Sequence, residues 1–526
     1  MTDLFPDAAV PSAQAAAPLA LSEDQQAAFS AVAARLGAHG IDLAAETAED
    51  AGARPENAEV MAVLGKAGSG KTLLLVEIVN ALKAAGAEAI SHDWEGRSKK
   101  GRRTFAVLAP TNKAASVLRN RGVPATTLHR ILYSPVYDPE YEKIAEWLSG
   151  EGDKPEMEQI TPEDLDRAMD AFKIHGSIPG ALAILGLRGS DFITGWARRE
   201  DELDIALVDE SSMLDDKQLE DIRRIFGLAI LFGDPAQLAP VGQSGAMVFD
   251  KLPAPAVKRL SRVHRQAADN PILDLAHALA DPDLHFERFE DMVRAAAARD
   301  DRVVYGAPAD SALMARSPML VWRNATRKRL IDAFRRVNGA PEDALLPGEP
   351  LICDGIELPL KHRRKRIDLE ARGLVKGAQC VYLGPGRKPG FAKLHVMGAP
   401  EPQVNAAAII QIERPDQDEP FIPSAARMGA AFLHGAAATI HKAQGSQWPT
   451  VQVFAPDLYA AARMNREEAG LPLWKRLAYV AVTRAEERLV WVTRYSMKKP
   501  GAPLSIEDLK AVAPAPFSLT AEEPEA

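Results

Sequence analysis

The chain has 526 residues, 47% of them hydrophobic and 26% charged, and a formal net charge of −9. That length exceeds one ordinary domain and supports several cores, and the composition excludes a disordered or fibrous protein. No apolar run is long enough to cross a bilayer, and the acidic balance argues against coating nucleic acid by bulk charge while leaving room for a local basic track.

In chain order, residues 1–20 are rich in Ala and Pro and carry Asp3 and Asp7 without Lys or Arg, which reads as a flexible tail rather than a secretory signal. A helix is expected after Leu21-Ser-Glu-Asp-Gln25, with Ser22 as its cap. The run Val60–Leu64 suits a buried strand and leads directly into Gly65-Lys-Ala-Gly-Ser-Gly-Lys-Thr72, after which a helix-forming stretch extends to Ala85. Phe105–Ala109 precedes Pro110-Thr-Asn-Lys113 and a further helix, Ile205–Val208 ends at Asp209-Glu210, and Leu228–Phe232 ends at Gly233-Asp234. Strands alternating with helices, each with a polar motif at its C-terminal end, describe a parallel sheet with a ligand crevice along that edge.

A long acidic excursion, about 132–203, interrupts this first set, and Thr161-Pro-Glu-Asp164 within it reads as a capped helix start. A second α/β set begins near residue 256, with strands at Met319–Trp322, Val451–Phe454 and Leu489–Thr493 and helices from Ala325 and Trp474. Between them, 355–430 has the Pro, Gly and short alternating segments of a β-rich insertion. The expected organisation is a tail at 1–20, a first domain at 21–255 and a second at 256–354 with 431–499. The insertion then lies at 355–430 and a disordered tail at 500–526.

The chemistry starts at the phosphate loop. Gly65, Gly68, Ser69 and Gly70 let the backbone wrap phosphates with its N–H groups, while Lys71 meets their charge and Thr72 offers a hydroxyl to Mg2+. An accidental Gly-rich turn is the bland alternative, and the position between a buried strand and a helix removes it. An Asp-Glu pair at a strand end is ordinarily a solvated turn. Beside a phosphate loop, Asp209 is expected to hold Mg2+ and Glu210 to orient the attacking water, with ATP as the nucleotide.

Taken in order, the motifs resemble the superfamily-one helicases of the RecD and Dda type over about residues 20–495. Leu21–Gln25 is similar to their adenine-reading motif, which implies a nucleotide contact for Gln25, and Gly233-Asp-Pro-Ala-Gln-Leu-Ala-Pro-Val241 to their γ-phosphate sensor, which implies that role for Gln237. Leu260–Gln266 resembles the motif that supplies one arginine finger, here Arg265. Ala438–Ser446 and Tyr479–Ala485 resemble the last two motifs, which implies Arg484 as the second finger and a nucleotide contact at Gly445. The fold so implied is two RecA-like domains with a small barrel-like insertion in the second and a mainly helical excursion, bearing a strand-separating pin, in the first. Single-strand contacts are implied at Thr111, Asn112, Thr127, His129, Arg323, Asn324, Thr439 and His441, with structural histidines as the plain alternative for His129 and His441. The resemblance further implies an ATP-dependent 5′→3′ motor acting on single-stranded and tailed duplex DNA.

Other features are open to two readings. Tyr133, Tyr137, Tyr141 and Trp147 are candidates to stack on a base, although aromatics so spaced are more often packing residues. Basic clusters occur at Lys99, Lys100, Arg102 and Arg103, at Arg323 and 327–329, and at Lys361 and 363–366, and any one such run is usually a solvated surface. Cys353 and Cys380 are too few for a zinc or iron–sulfur site and sit in apolar strands, so buried thiols in a reducing, cytoplasmic compartment are expected. A monomer without membrane attachment is expected. A subunit working only within a larger repair or recombination complex, an RNA motor and a phosphate-loop kinase or switch ATPase are the rival readings; the last has no need of a second core with two arginine motifs.

Overall fold

Apolar runs that end in polar motifs become neighbouring strands of two parallel sheets. The computed structural model describes residues 21–49, 57–90, 102–119, 121–137, 139–150, 152–156, 160–175, 181, 193–240, 247–262, 270–357, 369–370, 372–399, 401–417, 420, 426, 428–468, 470–507 and 509. The tail expected at 1–20, most of that expected from 500, Lys99, Lys100, Arg265 and the basic run 361–366 lie outside the described residues.

Helix α1 (Glu23–Ala38) opens the first RecA-like unit. Its sheet is built from β1 (Glu59–Gly65), β2 (Glu88–Ile90), β3 (Thr104–Ala109), β4 (Ala125–Thr127), β7 (Leu203–Val208), β8 (Phe226–Gly233) and β9 (Val257–Leu260). The order across it is β9-β1-β8-β7-β3-β2, with β4 also on β3, and every pairing is parallel. All residues of β3 and β8 are buried, because separate apolar clusters cover the two faces of the sheet. Helix α2 (Lys71–Ala84) follows the phosphate loop and buries Leu74, Leu75, Ile78, Val79 and Leu82, the spacing of one helical face. Each such side chain taken from water contributes about 1.5–3 kcal/mol.

Strand β9 corrects the expected boundary at residue 255: it pairs with β1, so the first unit extends to at least Leu260. Four residues with a mixed burial pattern carry little periodic signal, and the open edge of β1 decides where they go.

The excursion holds helices α5 (Pro139–Ser149) and α6 (Pro162–His175), with a small core of its own around Ile144, Leu148 and Ala168. At α6 the Thr161 hydroxyl accepts from Asp164 N–H at 3.2 Å, the cap expected there. The excursion is not helical throughout. It leaves and rejoins the first unit through two antiparallel strands, β5 (Tyr133–Tyr137) and β6 (Ile193–Arg198).

The second RecA-like unit has the sheet order β10-β19-β18-β11-β17, again all parallel. These strands are β10 (Val303–Asp310), β11 (Met319–Val321), β17 (Ala437–Thr439), β18 (Trp448–Phe454) and β19 (Ala485–Lys498). Helix α8 (Pro271–Ala278) belongs to this unit, and α12 (Leu473–Val482) is buried along its whole length. Between β11 and β17 a closed five-stranded barrel is inserted, formed by β12 (Pro350–Glu357), β13 (Gln379–Pro385), β14 (Phe391–Val396), β15 (Gln403–Gln411) and β16 (Gly429–His434). Its end strands start before residue 355 and finish after 430, since their apolar runs look like core strands. Cys353 and Cys380 are free thiols buried in its interior.

Candidate active site and strand groove

Three neighbouring strands of the first sheet, β1, β8 and β7, deliver the phosphate loop, Asp234–Gln237 and Asp209-Glu210 to one edge. In the loop, Gly68 and Gly70 have φ of +82° and +76°, a region where side chains are strained. A Cβ at Gly65 would stand 2.2 Å from Ser69 Oγ. That hydroxyl is buried and has no hydrogen-bond partner among the described residues, as suits a loop shaped to take a polar ligand. Lys71 Nζ donates to the carbonyls of Gly65 and Lys66, the latter at 3.1 Å, so the ammonium lies back on its own loop. Gln25 is fully buried. Its Nε2 donates to Gly70 O at 3.2 Å and its Oε1 accepts from Ser22 N–H at 2.9 Å, which joins α1 to the loop.

Asp209 Oδ1 accepts from Glu210 N–H at 3.0 Å, and Glu210 takes φ +50°, an unusual backbone for a residue with a side chain. The protein packed around Asp209, then the adjacent Glu210 carboxylate, push the Asp209 carboxyl up to about 7, while Lys71 opposes this. Gln237 Nε2 donates to Glu210 Oε2 at 3.0 Å, and its Oε1 accepts from Ser212 Oγ at 3.1 Å. Sensor and carboxylate candidates are therefore in direct contact.

The second unit closes over this edge. Arg484 is buried and donates to the carbonyls of Ser446 and Val480 at 3.0 and 3.1 Å, with the Glu210 and Asp234 carboxylates near enough to favour its charge against burial. Arg476 donates to the carbonyls of Pro235, at 3.1 Å, and Gln237. Tyr479 OH accepts from Ala67 N–H at 2.9 Å and donates to Asp234 Oδ2 at 2.6 Å. Burial pushes the Asp234 carboxyl up, and the Lys71 charge and the Tyr479 hydroxyl hold it down. A Cβ at Gly445 would meet Thr111 Oγ1 at 3.1 Å and Ala114, both of the first unit, while the following residue, Ser446, gives its carbonyl to Arg484.

Elsewhere between the units lies a cavity of about 740 Å³, walled by both RecA-like units and the barrel. Thr111, Asn112, Thr127, His129 and His441 line it, as do Lys376 and Lys442, both exposed. Arg323, Asn324 and Thr439 do not. Arg323 is held by the buried Asp457, with Nε to Oδ1 at 2.7 Å, and Asn324 Oδ1 accepts from Arg327 at 3.2 Å. Thr439 Oγ1 accepts from Lys442 N–H at 3.4 Å. Desolvation lowers the pKa of His129 and of His441, so positive charge along this wall comes from Lys and Arg.

Among the stacking candidates, Tyr133 is anchored through its hydroxyl to Asp221 at 2.7 Å, and Trp147 packs against the excursion core. The side chains of Tyr137 and Tyr141 lie outside the described residues. Trp196, which sequence reasoning passed over, is 46% exposed, lines the cavity and meets the His129 ring edge-on at 4.1 Å. Asp234, Arg476 and Tyr479 were also missed as site residues. Asp234 and Tyr479 stand within the quoted motifs, and two adjacent cations, Lys475 and Arg476, in an apolar helix were a legible signal that something polar is reached.

Residues 45–303 match the family model of an AAA domain, and residues 434–492 match that of a UvrD-like helicase C-terminal domain. Together these segments take in more than half of the chain, in the order that the two RecA-like units follow. The chain is an ATP-hydrolysing helicase of superfamily one. Among solved structures this helicase is similar to Bacteroides Pif1 bound to single-stranded DNA, at 13% identity over 90% of this chain and 92% of that one, TM-score 0.44. It is also similar to the Pif1 helicase from Candida albicans, at 15% identity over 90% and 95%, TM-score 0.41. No curated protein matches it. Among the described residues no helix is long and apolar enough to cross a membrane.

Proposed function

We propose that this helicase is an ATP- and Mg2+-dependent motor that moves 5′→3′ along single-stranded DNA and opens tailed duplexes. The observation that carries the reading is the convergence of Lys71, Glu210, Gln237 and Arg484 where two RecA-like units meet, with a separate groove walled by the same two units. A nucleotide held there bridges two bodies, so its hydrolysis changes how they stand and moves the groove walls against each other.

In this reading Lys71 leaves the Gly65 and Lys66 carbonyls to meet phosphate charge, Glu210 orients the attacking water, and Gln237 reports the γ-phosphate to it. Arg484 and Arg265 face the charge that develops in the transition state. Mg2+ fits the oxygen-only set of the Thr72 hydroxyl and the Asp209 carboxylate, which burial and the adjacent Glu210 charge make costly to ionise, a cost that a bound cation would offset. Bound there, the ion shields phosphate charge. Gln25 keeps the loop seated on α1. Thr111, Asn112, Thr127, His129 and His441 contact the strand, and Lys376 and Lys442 meet its phosphates. Arg323, Asn324 and Thr439, which do not line the cavity, have no strand contact in this reading.

Direction rests on the wording of Gly233–Val241 and Ala438–Ser446, which resembles the 5′→3′ branch. The test is unwinding of DNA and RNA duplexes with a 5′ or a 3′ tail. Opening of 5′-tailed DNA alone is expected. A preference for the 3′ tail overturns the direction, and a preference for RNA overturns the substrate.

A further inference from the structure

Tyr479 stands in a chain of three groups. Ala67 N–H donates to its hydroxyl at 2.9 Å, the hydroxyl donates to Asp234 at 2.6 Å, and that carboxylate also accepts from Ala236 N–H at 3.0 Å. The donors all point toward Asp234, and bonds arranged so reinforce one another inside a protein. Ala67 follows β1 and Asp234 follows β8, which are neighbours in the first sheet, whereas Tyr479 belongs to α12 of the second unit. One hydroxyl thus ties two strand ends of one unit to a helix of the other.

The grip is wider than one bond. One turn earlier on α12, Arg476 holds the carbonyls of Pro235 and Gln237, and His277 of the second unit faces Ala67 O at 3.3 Å. Tyr479 is 1% exposed, and burial with the Asp234 charge keeps its phenol protonated, so it remains a donor. A shift of the second unit takes the acceptor away from Ala67 N–H. Ala67 is half-buried, and an N–H there that loses its partner without regaining water carries a cost, which draws the loop after the second unit.

We propose that Tyr479 is the positioning residue through which the second RecA-like unit sets the phosphate loop, so that its hydroxyl couples strand binding to ATP turnover. The inference rests on the motor reading above. It assigns Tyr479 no contact with substrate.

Tyr479→Phe keeps the ring and removes the hydroxyl. In the full chain, turnover is measured with and without saturating oligo(dT), together with KM for ATP, oligo(dT) affinity and melting temperature. Strand-stimulated kcat is expected to fall about tenfold or more, with KM and oligo(dT) affinity within about threefold of wild type. Adding Asp234→Asn is expected to cost much less than in the wild-type background, because members of one chain do not add. Unchanged stimulated kcat overturns the inference, and so does an equal loss of kcat and both affinities, which marks a ring that only packs. If Tyr479→Phe fails to fold, Asp234→Asn cuts the same chain from its other end and carries the same expectation. Wild-type protein that oligo(dT) does not stimulate sinks the motor reading and this inference with it; equal stimulation of wild type and variant sinks the coupling alone.

Discussion

On the nucleotide side of the contact between the RecA-like units, Asp234, Gln237, Tyr479 and Arg484 are buried, and each is hydrogen-bonded within the protein. On the groove side, His129, Lys376 and Lys442 are exposed around a cavity of about 740 Å³. The two regions share the same pair of units and differ in what surrounds their charges. Fixed charges in a desolvated place act strongly and need little reorganisation during a reaction, which suits chemistry on one unvarying group. A strand of changing sequence needs room, and phosphate contacts through solvated cations hold it without reading its bases.

The comparison breaks most visibly if a change on one side behaves like a change on the other. Arg484→Ala is expected to lower kcat by about 10³–10⁵, the range for an arginine finger, with little effect on oligo(dT) affinity. Steady-state turnover and fluorescence anisotropy read the two quantities separately, and a parallel loss of affinity would put Arg484 in both regions. Glu210→Gln is expected to lower kcat by about 10²–10⁴ while ATP still binds, since the amide keeps the shape and loses the base. Wild-type turnover in that variant would return the role to another carboxylate.

Smaller effects sharpen the contrast from the groove side. Lys442→Ala is expected to weaken binding alike for all strand sequences and to reduce the slope of log affinity against log salt by about 1. An unchanged slope would mean that the exposed ammonium does not meet a phosphate. The smallest effect concerns stability. Burial and the adjacent Glu210 charge push the Asp209 carboxyl up to about 7 in the fold, from 3.8 for an ordinary aspartate. Between those values the folded state holds the extra proton, so wild-type stability falls as pH rises through the window. Asp209→Asn has no such charge. Without Mg2+ it is expected to melt higher than wild type above pH 7, by on the order of 2 °C, and the gap should close toward pH 4. A gap independent of pH would rule out the buried charge as its cause.

Much of the fold was legible because parallel strands buried on both faces must be apolar runs, and because ligand-facing loops must follow their C-terminal ends. Val60–Leu64 and Leu228–Phe232 meet both conditions, and they lie side by side in the sheet. The phosphate loop was equally plain, since its glycines answer a local backbone demand at Gly68 and Gly70. Arg323 shows where such reading stops. The resemblance implied that it meets a strand, yet Asp457, more than 130 residues away, holds it.

The residues from Gly65 to Thr72, the carboxylates after β7 and the alternation that makes two α/β sheets were determined by the sequence itself, because each depends on neighbours within a turn or a strand. Only the tertiary structure decided that β9 completes the first sheet, that Gln25 seats the phosphate loop and that Tyr479 joins Ala67 to Asp234. Those choices turn on which donor finds which acceptor across 45 to 412 residues of chain. No local pattern encodes that match: a buried polar group has to be paired, and the packing of whole units determines the partner.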